Sequence, residues 1–190
     1  MNKPSRRNFI RVLTTLALLA VAIPVMARQP KTEAQLVADL DSPKDKVVIN
    51  AIQDIEKNYP ASATGVARIK ALLADPRQSV VRKAAWMLGT THAEVNETDL
   101  KNIAALLDAT EKPAVLDGLK SLRGLKAQST IPKIIPLLQN PDLNIKRDSM
   151  RTLAVLGDKN LVPAIQPFLT FPDLAVQKDA ADAITILKEK

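Results

Sequence analysis

Two stretches of the chain match at an offset of 31 residues, and this repetition limits the fold more than any other feature. Ile131-Pro132-Lys133-Ile134-Ile135-Pro136-Leu137-Leu138 aligns with Val162-Pro163-Ala164-Ile165-Gln166-Pro167-Phe168-Leu169, both prolines kept. Asn140-Pro141-Asp142-Leu143 continues the match against Phe171-Pro172-Asp173-Leu174. A further copy of this second segment runs from Asp75-Pro76 to Leu88-Gly89, and weaker copies begin at Ser42-Pro43 and Pro113-Ala114. A unit this short cannot bury an apolar face by itself, so the copies must stack and share one core.

The second segment of each unit reads as an amphipathic helix. Its first core residues are Val47, Val80, Ala114, Ile145 and Val176, spaced by 33, 34, 31 and 31 residues. Position 5 holds small residues, Ala51, Ala84, Gly118, Ser149 and Ala180, which let a neighbouring helix approach closely. Position 9 holds Ile55, Leu88, Leu122, Leu153 and Ile184, completing one apolar face. The turn proline sits before or at the helix start, where its missing N–H costs nothing. The first segments are also amphipathic, as in Ala67-Ile69-Leu72-Leu73 and Leu100-Ile103-Leu106-Leu107. Those of the last two units carry prolines four apart and should kink. Only 3% of residues are aromatic, and an apolar content of Ala, Leu, Ile and Val favours helices over strands.

Helix, Asp/Asn-Pro turn, then Val-x-Arg/Lys-x-Ala-x-x-x-Leu resembles HEAT repeats, in particular the short kind named after phycobilisome lyases. The match is good over Asp75–Gly89 and 141–158, and weakest in the third unit, where Asp117-Gly118 falls inside the second helix. The resemblance implies an all-α, right-handed α-solenoid of about five hairpins over residues 32–58, 62–91, 97–126, 129–157 and 159–188. It also implies that the second helices line a concave surface.

Residues 1–27 read as an export signal. Lys3, Arg6, Arg7 and Arg11 precede an apolar run from Val12 to Met26, and Val25-Met26-Ala27 fits a small-residue cleavage site ending at Ala27. Ser5-Arg6-Arg7-Asn8-Phe9-Ile10-Arg11 resembles the twin-arginine motif, with Ser5, Phe9 and Ile10 in their expected places. The apolar run is short for a hydrocarbon core of about 30 Å, so a cleaved signal is expected, with no permanent membrane span. The expected destination is a bacterial periplasm, by the twin-arginine or the general secretory route. A single repeat domain would then occupy residues 28–190. Four of the 27 basic residues and none of the 20 acidic ones lie in residues 1–27, so the remainder carries 23 against 20, a net +3. Most of the apparent basicity therefore belongs to export, which weakens a nucleic-acid reading.

Positions 3, 7 and 10 of the second helices lie opposite the core positions and should face the groove. Position 3 holds Ile49, Arg82, Leu116, Arg147 and Lys178; position 7 holds Gln53, Trp86, Lys120, Arg151 and Asp182; position 10 holds Glu56, Gly89, Arg123, Ala154 and Thr185. Trp86 is the only tryptophan, and its column counterparts are all polar. It is either a binding anchor or a plug packed over the stems of Arg82, Lys120 or Arg123. Arg82, Lys120, Arg123, Arg147 and Arg151 form a basic stripe that would suit a protein or peptide partner bearing acidic groups. The family resemblance offers a structural alternative for Arg82, Arg147 and Lys178. There they form an internal ladder to turn residues, Arg82 to Asp75 and Arg147 to Asn140.

Other chemistry is sparse. The chain has no cysteine, which removes disulfides, thiolate metal sites and cysteine nucleophiles. His92 is the only histidine, sits in a turn between units, and reads as a solvated loop residue. The five glycines form no phosphate loop, no G-x-S-x-G occurs, and no acidic turn has calcium-loop spacing. The expectation is therefore no enzyme, no metal and no cofactor, but an exported binding scaffold, with an accessory role to a periplasmic enzyme as the subtype that the export route suggests. Two alternatives stand beside it. One is a chromophore lyase or isomerase like the family that names the repeats. The other is nucleic-acid binding, since some DNA glycosylases are built from HEAT-like repeats.

Overall fold

The computed structural model describes residues 30–190, of which Thr32–Lys190 form one compact unit. The expectations on Ser5, Arg6, Arg7, Phe9, Ile10 and Ala27 lie outside the described residues. The described residues fold into ten α-helices, α1 (Glu33–Asp39), α2 (Asp45–Asn58), α3 (Ala63–Ala71), α4 (Gln78–Thr90), α5 (Glu97–Ala105), α6 (Lys112–Gly124), α7 (Ile131–Ile134), α8 (Leu143–Leu156), α9 (Val162–Ile165) and α10 (Leu174–Lys188). No strand occurs among them, and none of these helices is long and apolar enough to cross a membrane.

Each odd-numbered helix packs on the even-numbered helix that follows it. The even-numbered helices pack on one another in chain order, which makes a stack of five hairpins. This is the all-α solenoid of about five hairpins that the resemblance to HEAT repeats implied.

The helix boundaries follow from local chemistry. Thr32 and Asn96 begin α1 and α5 with reciprocal capping boxes, and Ser62 caps α3 through the Gly65 N–H. Asp142 and Asp173 each accept two backbone N–H groups at the starts of α8 and α10. Pro136 and Pro167 cut the first helices of the last two units to a single α-turn, α7 and α9, continued as 3-10 helix over Ile135–Gln139 and Gln166–Thr170.

The core columns fall where the periodicity puts them. Val80, Ala114 and Val176, all five residues of position 5, and Ile55, Leu88, Leu122 and Leu153 are fully or almost fully buried. One residue departs: Val47 is half-buried, while its neighbour Val48 is buried as Val81 and Val115 are at the same position of the next two units. Each fully buried Leu or Ile contributes about 1.5–3 kcal/mol.

Lys146 is a buried residue that the apolar pattern could not place. It stands next to core position 1, where the earlier units have Val48, Val81 and Val115. Its Nζ donates to the Leu138 carbonyl at 2.6 Å and lies 5.1 and 5.2 Å from the rings of Phe168 and Phe171. It thus caps the shortened first helix of its own unit and meets the aromatic pair of the next. Burial lowers its pKa from the ordinary lysine value.

Candidate functional site: the second-helix face

The groove positions turn out to be cross-linked by charge. Position 4 of the second helices reads Asn50, Lys83, Asp117, Asp148 and Asp179, and its charged members each meet a groove residue of the preceding unit. Lys83 Nζ lies 2.8 Å from Glu56, and Arg123 Nη1 lies 3.3 Å from Asp148. These are the same rung, position 10 to position 4, with the signs exchanged. Glu56 feels two opposed effects: burial would raise its pKa, but hydrogen bonds from Lys83 and Thr90 win and hold it below the usual value.

Between the second and third units, position 10 is Gly89 and cannot form a rung. Arg82 at position 3 covers Asp117 instead, with Nε and Nη2 at 2.8 and 2.7 Å. Between the fourth and fifth units, position 10 is Ala154. There Arg147 reaches Asp179 at 2.5 Å and Arg151 reaches it through Nε and Nη2 at 2.9–3.2 Å. The carboxylate of Asp179 is buried, its side chain only 7% exposed, and needs that many donors.

These contacts correct two expectations. Arg82 does not bond Asp75, because Asp75 is held by the Arg77 backbone N–H and guanidinium at 2.8 Å. Arg147 does not bond Asn140, whose side-chain oxygen accepts the Asp142 N–H at 2.9 Å. The turn residues satisfy their own turns, and the arginines reach forward to the next second helix. Lys178 bonds Asp182 one turn along, at 2.7 Å on the exposed surface. The basic stripe also shrinks. Arg123 and Arg151, stripe residues for which no internal partner was expected, are both paired, and of the basic groove residues only Lys120 makes no ion pair among the described residues.

Trp86 packs against Lys120, one of the stems named in the plug reading. It is half-buried on α4, and Lys120 Nζ lies over its ring at 5.6 Å. The two side chains form a shared wall between two depressions. One, of about 410 Å³, is lined by Trp86, Gly89, Thr90, Lys120, Arg123 and Gly124. The other, of about 490 Å³, lies toward α2 and is lined by Ile49, Arg82, Lys83, Trp86, Asp117 and Lys120. The first exists because α4 and α6 nearly touch below it: a Cβ on Gly124 would sit 2.3 Å from the Gly89 carbonyl oxygen. A third depression, of about 370 Å³, lies between α8 and α10, with Arg123, Arg151, Val155, Asp179, Asp182 and Ile186 on its walls. The structure thus places Trp86, Lys120 and Arg123 at one depression and Arg151 and Asp182 at another. Gln53 is exposed on α2 and lines neither.

Sequence reasoning missed Asp117, Asp148 and Asp179, although an Asp recurring at the 31-residue spacing was visible. It also missed the role of His92. That residue has φ 51° at the end of α4, and its Nδ1 donates to the Gly124 carbonyl at 2.8 Å, tying the second unit to the third. Among the described residues no group of three metal-ligating side chains is close enough to hold an ion.

No family model matches the chain. No curated protein matches it either. Solved structures do. It resembles a chain of the complex of CpcE and CpcF of phycocyanin lyase from Nostoc sp. PCC7120, at 23% identity and a TM-score of 0.70, over 84% of this chain and 66% of that one. It therefore spans just under two thirds of that chain's length. It is also similar to a designed armadillo repeat protein, YIII(Dq)4CqI, at 18% identity and a TM-score of 0.54, over 80% of this chain and 81% of that one. A related design, solved in complex with the peptide (KR)4, matches at 16% identity and a TM-score of 0.58, covering 80% of each chain. The fold is thus that of HEAT and armadillo solenoids. The expectation that the chain is no enzyme must be withdrawn, since a lyase complex is built on this same fold. A missing catalytic motif does not exclude catalysis in such a solenoid.

Proposed function

We propose that the chain is an exported binding protein whose second-helix face holds a peptide segment of a partner protein around Trp86 and Lys120. One observation carries this reading: a half-exposed indole and an unpaired ammonium meet at the wall between two depressions. An indole offers a large contact area at little entropic cost, and a cation beside it favours a ligand with an acid next to an apolar group. The (KR)4 complex of the designed armadillo protein supports the mode of binding, since a solenoid of similar fold there holds a short peptide.

The acidity expected of the partner narrows. Arg82, Arg123, Arg147 and Arg151 are spent on internal carboxylates, so one carboxylate beside an apolar side chain suits the face better than an acidic run. The same pairing leaves too few unpaired cations there to grip a phosphate backbone. Export rests on the sequence of residues 1–27, and a role as accessory factor to a periplasmic enzyme rests on that route.

Two experiments test the proposal. Pull-down of a partner by the native chain, set against chains carrying Trp86→Ala or Lys120→Ala, should show the partner lost from both variants. An unchanged partner would remove this face from the account. Fractionation of cells making the full chain should find it in the periplasm, and Arg6→Lys with Arg7→Lys should hold it in the cytoplasm if the twin-arginine route is used. A second reading, action on a chromophore-bearing protein, is favoured by the fold shared with the phycocyanin lyase chain. Transfer of a chromophore to a phycobiliprotein in the presence of this chain would establish it, and no adduct would dispose of it.

A further inference from the structure

The first and third depressions are the same site repeated two units apart. Positions 7, 10 and 11 of one second helix and positions 7, 8 and 11 of the next form both. In the first these are Trp86, Gly89, Thr90, Lys120, Ser121 and Gly124. In the third they are Arg151, Ala154, Val155, Asp182, Ala183 and Ile186. Both open where position 10 is too small to form a rung, and the Arg123–Asp148 rung stands between them, with Arg123 lining each. The side chains differ at all six positions, and at one of them the charge reverses: Lys120 borders the first and Asp182 the third. Asp182 is bonded only to exposed Lys178, a surface pair that a ligand can compete with at little cost. Val155 and Ile186, each 42% exposed, give the third depression an apolar wall.

We infer that the two depressions are paired subsites for one extended peptide bearing two apolar anchors, an acid beside the anchor at Trp86 and a base beside the anchor at Ile186. This rests on the peptide-binding reading and adds spacing and direction to it. Packed helices lie 8–10 Å apart, so two steps of the stack span about 16–20 Å. An extended chain rises about 3.3 Å per residue, which sets the anchors about five or six residues apart. Opposite charges at equivalent positions make the two chain directions unequal, because a reversed peptide places acid on Asp182 and base on Lys120.

A random library of twelve-residue peptides selected on the full chain tests this. The inference expects enriched sequences with two apolar residues five or six apart, acid next to one and base next to the other. It expects Ile186→Asp, a change at an exposed position, to leave the circular dichroism spectrum intact and to remove selection for the second anchor while keeping the first. Enrichment of a single anchor, or of another spacing, overturns the paired subsites and leaves peptide binding at Trp86 standing. No enrichment at all overturns both. If the chain sediments as a dimer and Ile186→Asp splits it, the third depression belongs to a second copy and the inference falls.

Discussion

Arg123 Nη1 stands 3.3 Å from Asp148 Oδ1, and the other carboxylate oxygen of Asp148 is buried with no hydrogen-bond partner among the described residues. The repeat register explains why. Asp117 and Asp179 receive the position-3 arginines Arg82 and Arg147, but the third unit has Leu116 at that position. Asp148 is left with one long contact from position 10. Its side chain is only 9% exposed, so removing Arg123 strands a buried carboxylate. Arg123→Ala should therefore cost about 2–3 kcal/mol in urea unfolding. Lys120→Ala, which breaks no ion pair, should stay within about 0.5 kcal/mol of the native chain. Equal effects from the two would contradict this assignment of the charges.

Restoring the missing arginine should have the opposite sign. Leu116→Arg places a guanidinium where Arg82 and Arg147 stand in their own units, facing the unpartnered oxygen of Asp148. A gain of about 1 kcal/mol is expected, read as a rise of roughly 2–4 °C in Tm. A fall in Tm would mean that Leu116 contributes more as an apolar groove residue than the carboxylate gains.

The crossing of α4 and α6 depends on having no side chain. An alanine is the better helix former by as much as about 1 kcal/mol. At Gly124, however, its Cβ would meet the Gly89 carbonyl oxygen at 2.3 Å, and backbone cannot step aside. The steric cost should win, so Gly124→Ala is expected to destabilise by about 1–3 kcal/mol. Calorimetric melting decides the sign.

Acid should loosen the stack through its carboxylates. The Arg77 guanidinium, outweighing burial, holds Asp75 below its ordinary 3.8, and hydrogen bonds from Lys83 and Thr90, together outweighing burial, hold Glu56 below its ordinary 4.5. A carboxylate whose folded pKa is depressed stabilises the fold above its unfolded pKa and loses that contribution as pH falls through the folded value. Stability should thus be flat from pH 7 to about 5 and decline below about 4.5. Urea midpoints measured across that range check the shape, and Asp75→Asn should flatten the acid limb.

The architecture was legible because a 31-residue repeat with small residues at position 5 leaves few folds open, and the core columns could be read directly. The site was legible in part. Trp86 stood out as a lone aromatic in a polar column, and Lys120 as its basic neighbour one unit on. What could not be read was which charges are spent inside the stack. Whether Arg151 faces solvent or grips Asp179 depends on how far one helix is displaced along the next, and repeat periodicity carries no such distance. His92 and Lys126, both with positive φ at helix ends, were hidden for another reason: glycine is the usual signal there and neither is glycine.

The most direct test of the central claim is the affinity of a peptide selected on the native chain, measured by calorimetry for the native and Trp86→Ala proteins. The account predicts at least a tenfold weakening, about 1.4 kcal/mol, with the fold unchanged; an affinity equal in the two chains would contradict it.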